Sequence, residues 1–71
     1  MMKILKFTTN INCQGCIAKV TPFLNSADGI EHWEVDTANP QKILIVETNS
    51  LESDDVVAVL QKAGYKATAL N

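Results

Sequence analysis

Cys13 and Cys16 are the only two cysteines in this sequence, and they stand three residues apart in the run Asn10-Ile11-Asn12-Cys13-Gln14-Gly15-Cys16. A Cys-x-x-Cys pair supports two kinds of chemistry. As thiolates the two sulfurs can share a soft metal ion, and as a redox couple they can cycle between dithiol and disulfide. Thiolate formation is favoured where a helix begins, because unpaired backbone N–H groups and the helix dipole attract negative charge. The apolar period changes at Cys16, which places it at such a start and leaves Cys13 in the preceding loop, the more exposed and mobile of the two.

The ligand count narrows the metal. Structural Zn²⁺ takes four donors in a tetrahedron, and this chain offers two thiolates and one distant histidine, His32. Cu(I) is soft and accepts two sulfurs in a near-linear arrangement. Such an open site also admits a partner's thiol as a third ligand, so an ion can pass between proteins without release to water. Spacing alone leaves metal binding and thiol redox chemistry both open.

The elements that must hold this loop can be read from hydrophobic period. Lys3 to Thr9 alternates, with Leu5, Phe7, Thr9 and then Ile11 on one face, and reads as a half-buried strand. Cys16, Val20, Phe23 and Leu24 share a helical stripe, so a helix is expected from about Gln14 to Ser26, stopping at Asp28-Gly29. Pro22 removes a hydrogen bond to the carbonyl of Ala18, and a bend or an early 3₁₀ ending is expected there. Ile30 to Thr37 and Gln41 to Thr48 alternate around the turn at Ala38-Asn39-Pro40 and predict an antiparallel hairpin. Ser53, followed by Asp54 and Asp55, is expected to cap a second helix, which carries Val56, Val59, Leu60 and Ala63 on one stripe and ends at Gly64. Lys66 to Leu70 is a short terminal strand.

Strand, helix, strand, strand, helix, strand predicts an α+β fold, the ferredoxin-like βαββαβ sandwich, with a four-stranded antiparallel sheet and two helices on one face. A chain of 71 residues fits one domain, 1–71. A domain this short buries only about 60% of the surface its unfolded chain exposes. No segment approaches the roughly 20 apolar residues that span a bilayer, so membrane insertion is not expected. Lys6 interrupts the apolar start and Thr8, Thr9 and Asn10 follow, so no export signal is visible and a cytoplasmic location is expected. In a reducing compartment the cysteine pair is read as metal-binding or redox-active rather than as a structural staple. Formal charge is −2 and the lysines are scattered, which argues against nucleic acid as a partner.

The run from Ile11 to Val20, the Gly29-Ile30 after the first helix, Val35-Asp36 in the second strand and Ala63-Gly64-Tyr65 after the second helix resemble the heavy-metal-associated domain. That family comprises small copper chaperones and the amino-terminal modules of metal-transporting P-type ATPases. The resemblance covers essentially the whole chain, with the cysteine loop its most specific part. It implies a metallochaperone rather than an enzyme, holding Cu(I) through Cys13 and Cys16 and passing it to a P-type ATPase or a similar domain. Zn²⁺, Hg²⁺ and Cd²⁺ are other soft ions such a site could take. The chain is expected to be a monomer, or a dimer bridged by metal. Tyr65 matches a position near the metal where bacterial copper chaperones often carry tyrosine. Ile11 stands where most members have a buried methionine supporting the loop. Asn12 stands where copper members usually have threonine and zinc-type modules often have an acidic residue, which argues against zinc.

Two other classes of function compete. A glutaredoxin-like thiol-disulfide oxidoreductase would also place Cys-x-x-Cys after its first strand, and Asn39-Pro40 before a strand fits such a fold. Gln14-Gly15 is not a typical redox dipeptide, however, and too few elements follow the hairpin. An interaction domain with incidental cysteines is the third reading. Trp33 shares a face with Val35 and is expected in the core, and His32 on the opposite face is expected in solvent. Ile4, Ile43 and Ile45 are expected together on the helix-free face of the sheet.

Overall fold

A computed structural model describes residues 2–70. Six elements follow in the order β1 (Lys3–Thr9), α1 (Gln14–Ser26), β2 (Ile30–Asp36), β3 (Ile43–Thr48), α2 (Ser53–Lys62) and β4 (Ala67–Leu70). The strands form one antiparallel sheet in the order β2-β3-β1-β4, with β1 and β3 at its centre. This is the ferredoxin-like βαββαβ arrangement expected from the sequence.

The alternation read along β1 decides which face is covered. Phe7 and, beyond the strand, Ile11 are fully buried, and they join Leu44 and Val46 of β3, Val20 and Leu24 of α1, and Val56 and Leu60 of α2 in one core. Burying an aliphatic or aromatic side chain contributes about 1.5–3 kcal/mol, so these eight residues hold the two helices on the sheet. On the opposite face the register sets Lys6 against Ile45 and Thr8 against Ile43. Ile4 is 60% exposed there, while Ile43 is buried.

Pro22 brings no early 3₁₀ ending, because α1 continues as α-helix to Ser26. Ala18 and Pro22 both lie on the exposed side, so the carbonyl that loses its donor faces water. The Thr21 hydroxyl, one residue earlier, donates to the Ile17 carbonyl at 2.7 Å. The cap of α2 also differs from expectation. Glu52, not Ser53, is the N-cap, and it forms a capping box with Asp55: its backbone N–H donates to Asp55 Oδ2 at 2.8 Å, and its carboxylate also meets Lys3 Nζ at 2.9 Å. Trp33 is only half-buried. It packs against the margin of the core from edge strand β2, and its indole N–H donates to Asn25 Oδ1 at 3.0 Å.

The far end of α2 shapes the cysteine end of the molecule. Gly64 has φ +89°, its N–H donates to the Gln61 carbonyl and the Tyr65 N–H donates to the Leu60 carbonyl. These two bonds are a Schellman motif, which needs a left-handed residue where Gly64 stands. The chain therefore turns sharply, and Tyr65 is delivered beside the cysteine loop.

Candidate metal centre

The cysteine loop leaves the sheet at the end of β1, where the neighbouring strands β3 and β4 begin. Side chains complete the ladder on each side. Toward β3, the Thr9 hydroxyl donates to the Lys42 carbonyl at 2.6 Å and accepts from the Ile11 N–H at 3.1 Å. Toward β4, Asn10 Oδ1 accepts from the Lys66 N–H at 2.9 Å. Ile11 then turns its whole side chain into the core, which fixes the loop from below as an apolar residue at this position was expected to do.

Cys13 is the N-cap of α1 with extended backbone, and no side chain caps the helix. Its carbonyl accepts from the Ile17 N–H at 3.1 Å, closing the first turn. The N–H groups of that turn are thus left to whatever the sulfurs carry. The two sulfurs are 3.1 Å apart and both cysteines are free thiols, Cys13 exposed and Cys16 partly buried. That order of exposure is the one expected. Cys16 Sγ lies 3.6 Å from Asn12 Oδ1 and can donate to it. Gly15 leaves ordinary space, since a Cβ there would stand 3.8 Å from Cys13 Sγ.

Tyr65 closes the site from the side. Its hydroxyl beside Cys16 is the largest cause holding that thiol below its ordinary value of 9.0, and the neighbouring Cys13 thiol adds to it, against a smaller opposing effect of burial. The phenol responds in the opposite direction. The bond to Cys16, then burial, then the charges of Cys16 and Cys13 push its own ionisation up to about 12. A phenol that donates to a thiolate explains both shifts.

The structure thus brings Cys13, Cys16, Ile11, Asn12 and Tyr65 to one end of the molecule. His32 lies elsewhere, on the far half of β2, with Nε2 3.9 Å from Glu34 Oε1. Among the described residues no group of three or more His, Cys, Asp or Glu side chains could hold an ion. The sequence reading missed Thr9 as a loop anchor, and Asn10 altogether as a structural contact. Their signal was two polar residues at the point where an alternating strand stops.

No protein-family model matches the chain. The copper chaperone for superoxide dismutase of Rattus norvegicus is 35% identical over 66 residues, a match spanning 93% of this chain and 23% of the relative. The chain therefore corresponds to about a quarter of that relative's length. The first domain of the human copper chaperone for SOD1, in its copper(I)-loaded form, superposes with a TM-score of 0.81 at 28% identity, covering 97% of this chain and 93% of the other. In fold the chain is similar to the heavy-metal-associated domain of a copper chaperone for superoxide dismutase, with a TM-score of 0.82 at 27% identity, covering 100% of this chain and 69% of the other. The fold extends to more distant proteins, among them oxidized MerP from Ralstonia metallidurans CH34, with a TM-score of 0.84 at 12% identity and full coverage of both chains. Together with this likeness, two free thiols at an exposed helix start support a heavy-metal-binding function. No helix among the described residues is long and apolar enough to cross a membrane.

Proposed function

We propose that this chain is a single heavy-metal-associated domain that carries Cu(I) on Cys13 and Cys16 and surrenders it to a metal-transporting P-type ATPase, or a similar domain, by thiolate exchange. The observation that carries the reading is the pair itself: two free sulfurs 3.1 Å apart, one of them at an exposed helix N-cap. Two soft donors with no third within the site suit Cu(I) better than Zn²⁺, which asks for four. The rat and human relatives, named as copper chaperones, support the same ion. Hg²⁺ and Cd²⁺ fit the donor set by softness.

The two cysteines have different parts in this reading. Two-coordinate binding needs sulfurs roughly twice a metal–sulfur bond apart, about 4.6 Å from a bond of about 2.3 Å, so loading must part them. Cys13 is the one free to move, being exposed and extended, and it is the entering and leaving ligand. Cys16 is anchored in the first turn of α1 and stays. A partner thiol attacks the ion as Cys13 departs, and the ion passes through three-coordinate intermediates.

An anaerobic Cu(I) titration of the reduced chain against a chromophoric chelator, with Zn²⁺ in parallel, tests the proposal. One Cu(I) per chain is expected, with affinity lowered by orders of magnitude in Cys13→Ser and in Cys16→Ser. Equal affinity in the serine variants, or a preference for Zn²⁺, would overturn it.

A further inference from the structure

We infer that Asn10 is a positioning residue, whose side chain clamps the Tyr65 turn against the cysteine loop and so keeps the phenol at Cys16. The register of β1 and β4 runs Lys6 with Leu70, Phe7 with Ala69, Thr8 with Thr68 and Thr9 with Ala67. The next pair in that ladder is Asn10 with Lys66. There the main chain of Asn10 has already turned away to form the cysteine loop, and its side-chain carbonyl takes the place of the missing backbone acceptor, receiving the Lys66 N–H at 2.9 Å.

Tyr65 is consequently fixed on both sides. Its own N–H is held by the Leu60 carbonyl at the end of α2, and the next N–H in the chain is held by Asn10. Without the second bond, Tyr65 is held by α2 on one side, beyond a glycine with φ +89°, and on the other only from Ala67, paired with Thr9 two residues further on; no backbone–backbone hydrogen bond among residues 2–70 ties residues 64–66 to the loop of residues 10–16. The bond is exposed to water, which makes it easy to open rather than strong. An exposed clamp suits a phenol that must stay near the thiolate while the ion is carried and yield when a partner's sulfur enters.

The role of Asn10 toward the ion rests on the copper reading, but its effect on Tyr65 does not, so the two are tested separately. In the metal-free chain, amide hydrogen exchange of Lys66 and the nuclear Overhauser contact between the Tyr65 ring and Cys16 are followed in Asn10→Ala and Asn10→Asp. Asn10→Ala is expected to speed Lys66 exchange about 2- to 12-fold, the range one such hydrogen bond is worth, and to weaken the Tyr65–Cys16 contact. Asn10→Asp keeps an acceptor oxygen and is expected to restore both. Unchanged exchange and contact in Asn10→Ala would overturn the clamp, whatever metal the chain binds.

The second arm follows Cu(I) loss to a chelator in the wild type, Asn10→Ala, Tyr65→Phe and the double variant. Faster loss in Asn10→Ala that disappears in the Tyr65→Phe background is expected, since the clamp acts through the hydroxyl. An equal acceleration with and without that hydroxyl would overturn it. Failure of the wild type to retain Cu(I) would overturn the copper reading and with it the role of Asn10 in retention, and leave the metal-free arm to decide the clamp.

Discussion

Tyr65 and Cys16 form a donor–acceptor pair whose effects can be separated by pH. A thiolate must be free of its proton to bind metal, and the phenol lowers the ionisation of Cys16 below 9.0. Removing the hydroxyl in Tyr65→Phe removes the largest of the causes. The ultraviolet thiolate absorbance of the reduced chain is therefore expected to titrate at higher pH in Tyr65→Phe than in the wild type, closer to 9.0. An unmoved midpoint would show that the phenol does not bear on the sulfur. The sign for stability follows from the same shifts. Cys16, depressed in the folded chain, contributes stability present above pH 9.0 that is lost as the pH falls through its lowered value. Tyr65, raised to about 12 by the same pair, loses its share as the pH rises through 12, so the stabilisation is fullest between pH 9.0 and 10.0. The sequence made the two cysteines and their order of exposure legible. It showed the place of Tyr65 only through family resemblance, because nothing in the local pattern around Gly64 says what lies beside a turn 50 residues from the cysteines. Thr9 and Asn10 were illegible as anchors for the same reason: their partners, Lys42 and Lys66, are neighbours only once the sheet is assembled.

At the scale of elements, the turns after the two helices make different demands on their glycines. Gly29 has φ +99°, and a Cβ there would stand 2.9 Å from both Leu51 Cγ and Ser50 Oγ. Gly64 has φ +89° and open space around it. Alanine at Gly64 should cost about 1–2 kcal/mol for the backbone alone. Alanine at Gly29 adds an overpacking cost of about 1–3 kcal/mol. Chemical denaturation is expected to rank Gly29→Ala as the more destabilising, and the reverse ranking would show that the loop at Ser50-Leu51 gives way freely. That loop has its own support, since the buried Thr48 hydroxyl accepts from the N–H groups of Ser50 and Leu51 at 3.2 and 3.1 Å. Helices and strands were legible because their apolar periods are clean. Two details were not. The effect of Pro22 depends on which way the freed carbonyl of Ala18 faces, and that is a property of helix docking. The cap of α2 depended on Asp55 reaching back three residues, which favoured Glu52 over the better capping type at Ser53.

Across the whole molecule, charge is divided between two ends. Lys19, Lys42, Lys62 and Lys66 lie toward the cysteine end, with Asp36 beside them, whereas Asp28, Glu31, Glu47, Glu52, Asp54 and Asp55 lie toward the other end with Lys3. The net charge of −2 hides this division. Lysines scattered in sequence are gathered by topology, because the ends of β1 and α2 and the starts of α1, β3 and β4 meet at one pole. A dimer in which two chains share one ion through four thiolates brings two positive poles together. Salt screens such repulsion, the Debye length falling from about 10 Å at 0.1 M to about 3 Å at 1 M. Sedimentation of the copper-loaded chain is therefore expected to show monomer at low salt and a larger share of dimer at high salt. A dimer that weakens with salt would contradict this division of charge.

The sheet stops short of the chemistry: β1 ends at Thr9, and three residues separate it from Cys13. Thr9 and Asn10 finish its hydrogen bonding with their side chains, Ile11 seals the core, and only then does the chain reach Asn12 and the cysteines. The exposed residues 12–15 can therefore vary while the scaffold below them keeps its pairing and its packing. Metal preference and folding stability become separable traits, and a lineage, or an engineer, could retune the metal preference of this chain by rewriting exposed positions 12–15 without renegotiating the fold that presents them.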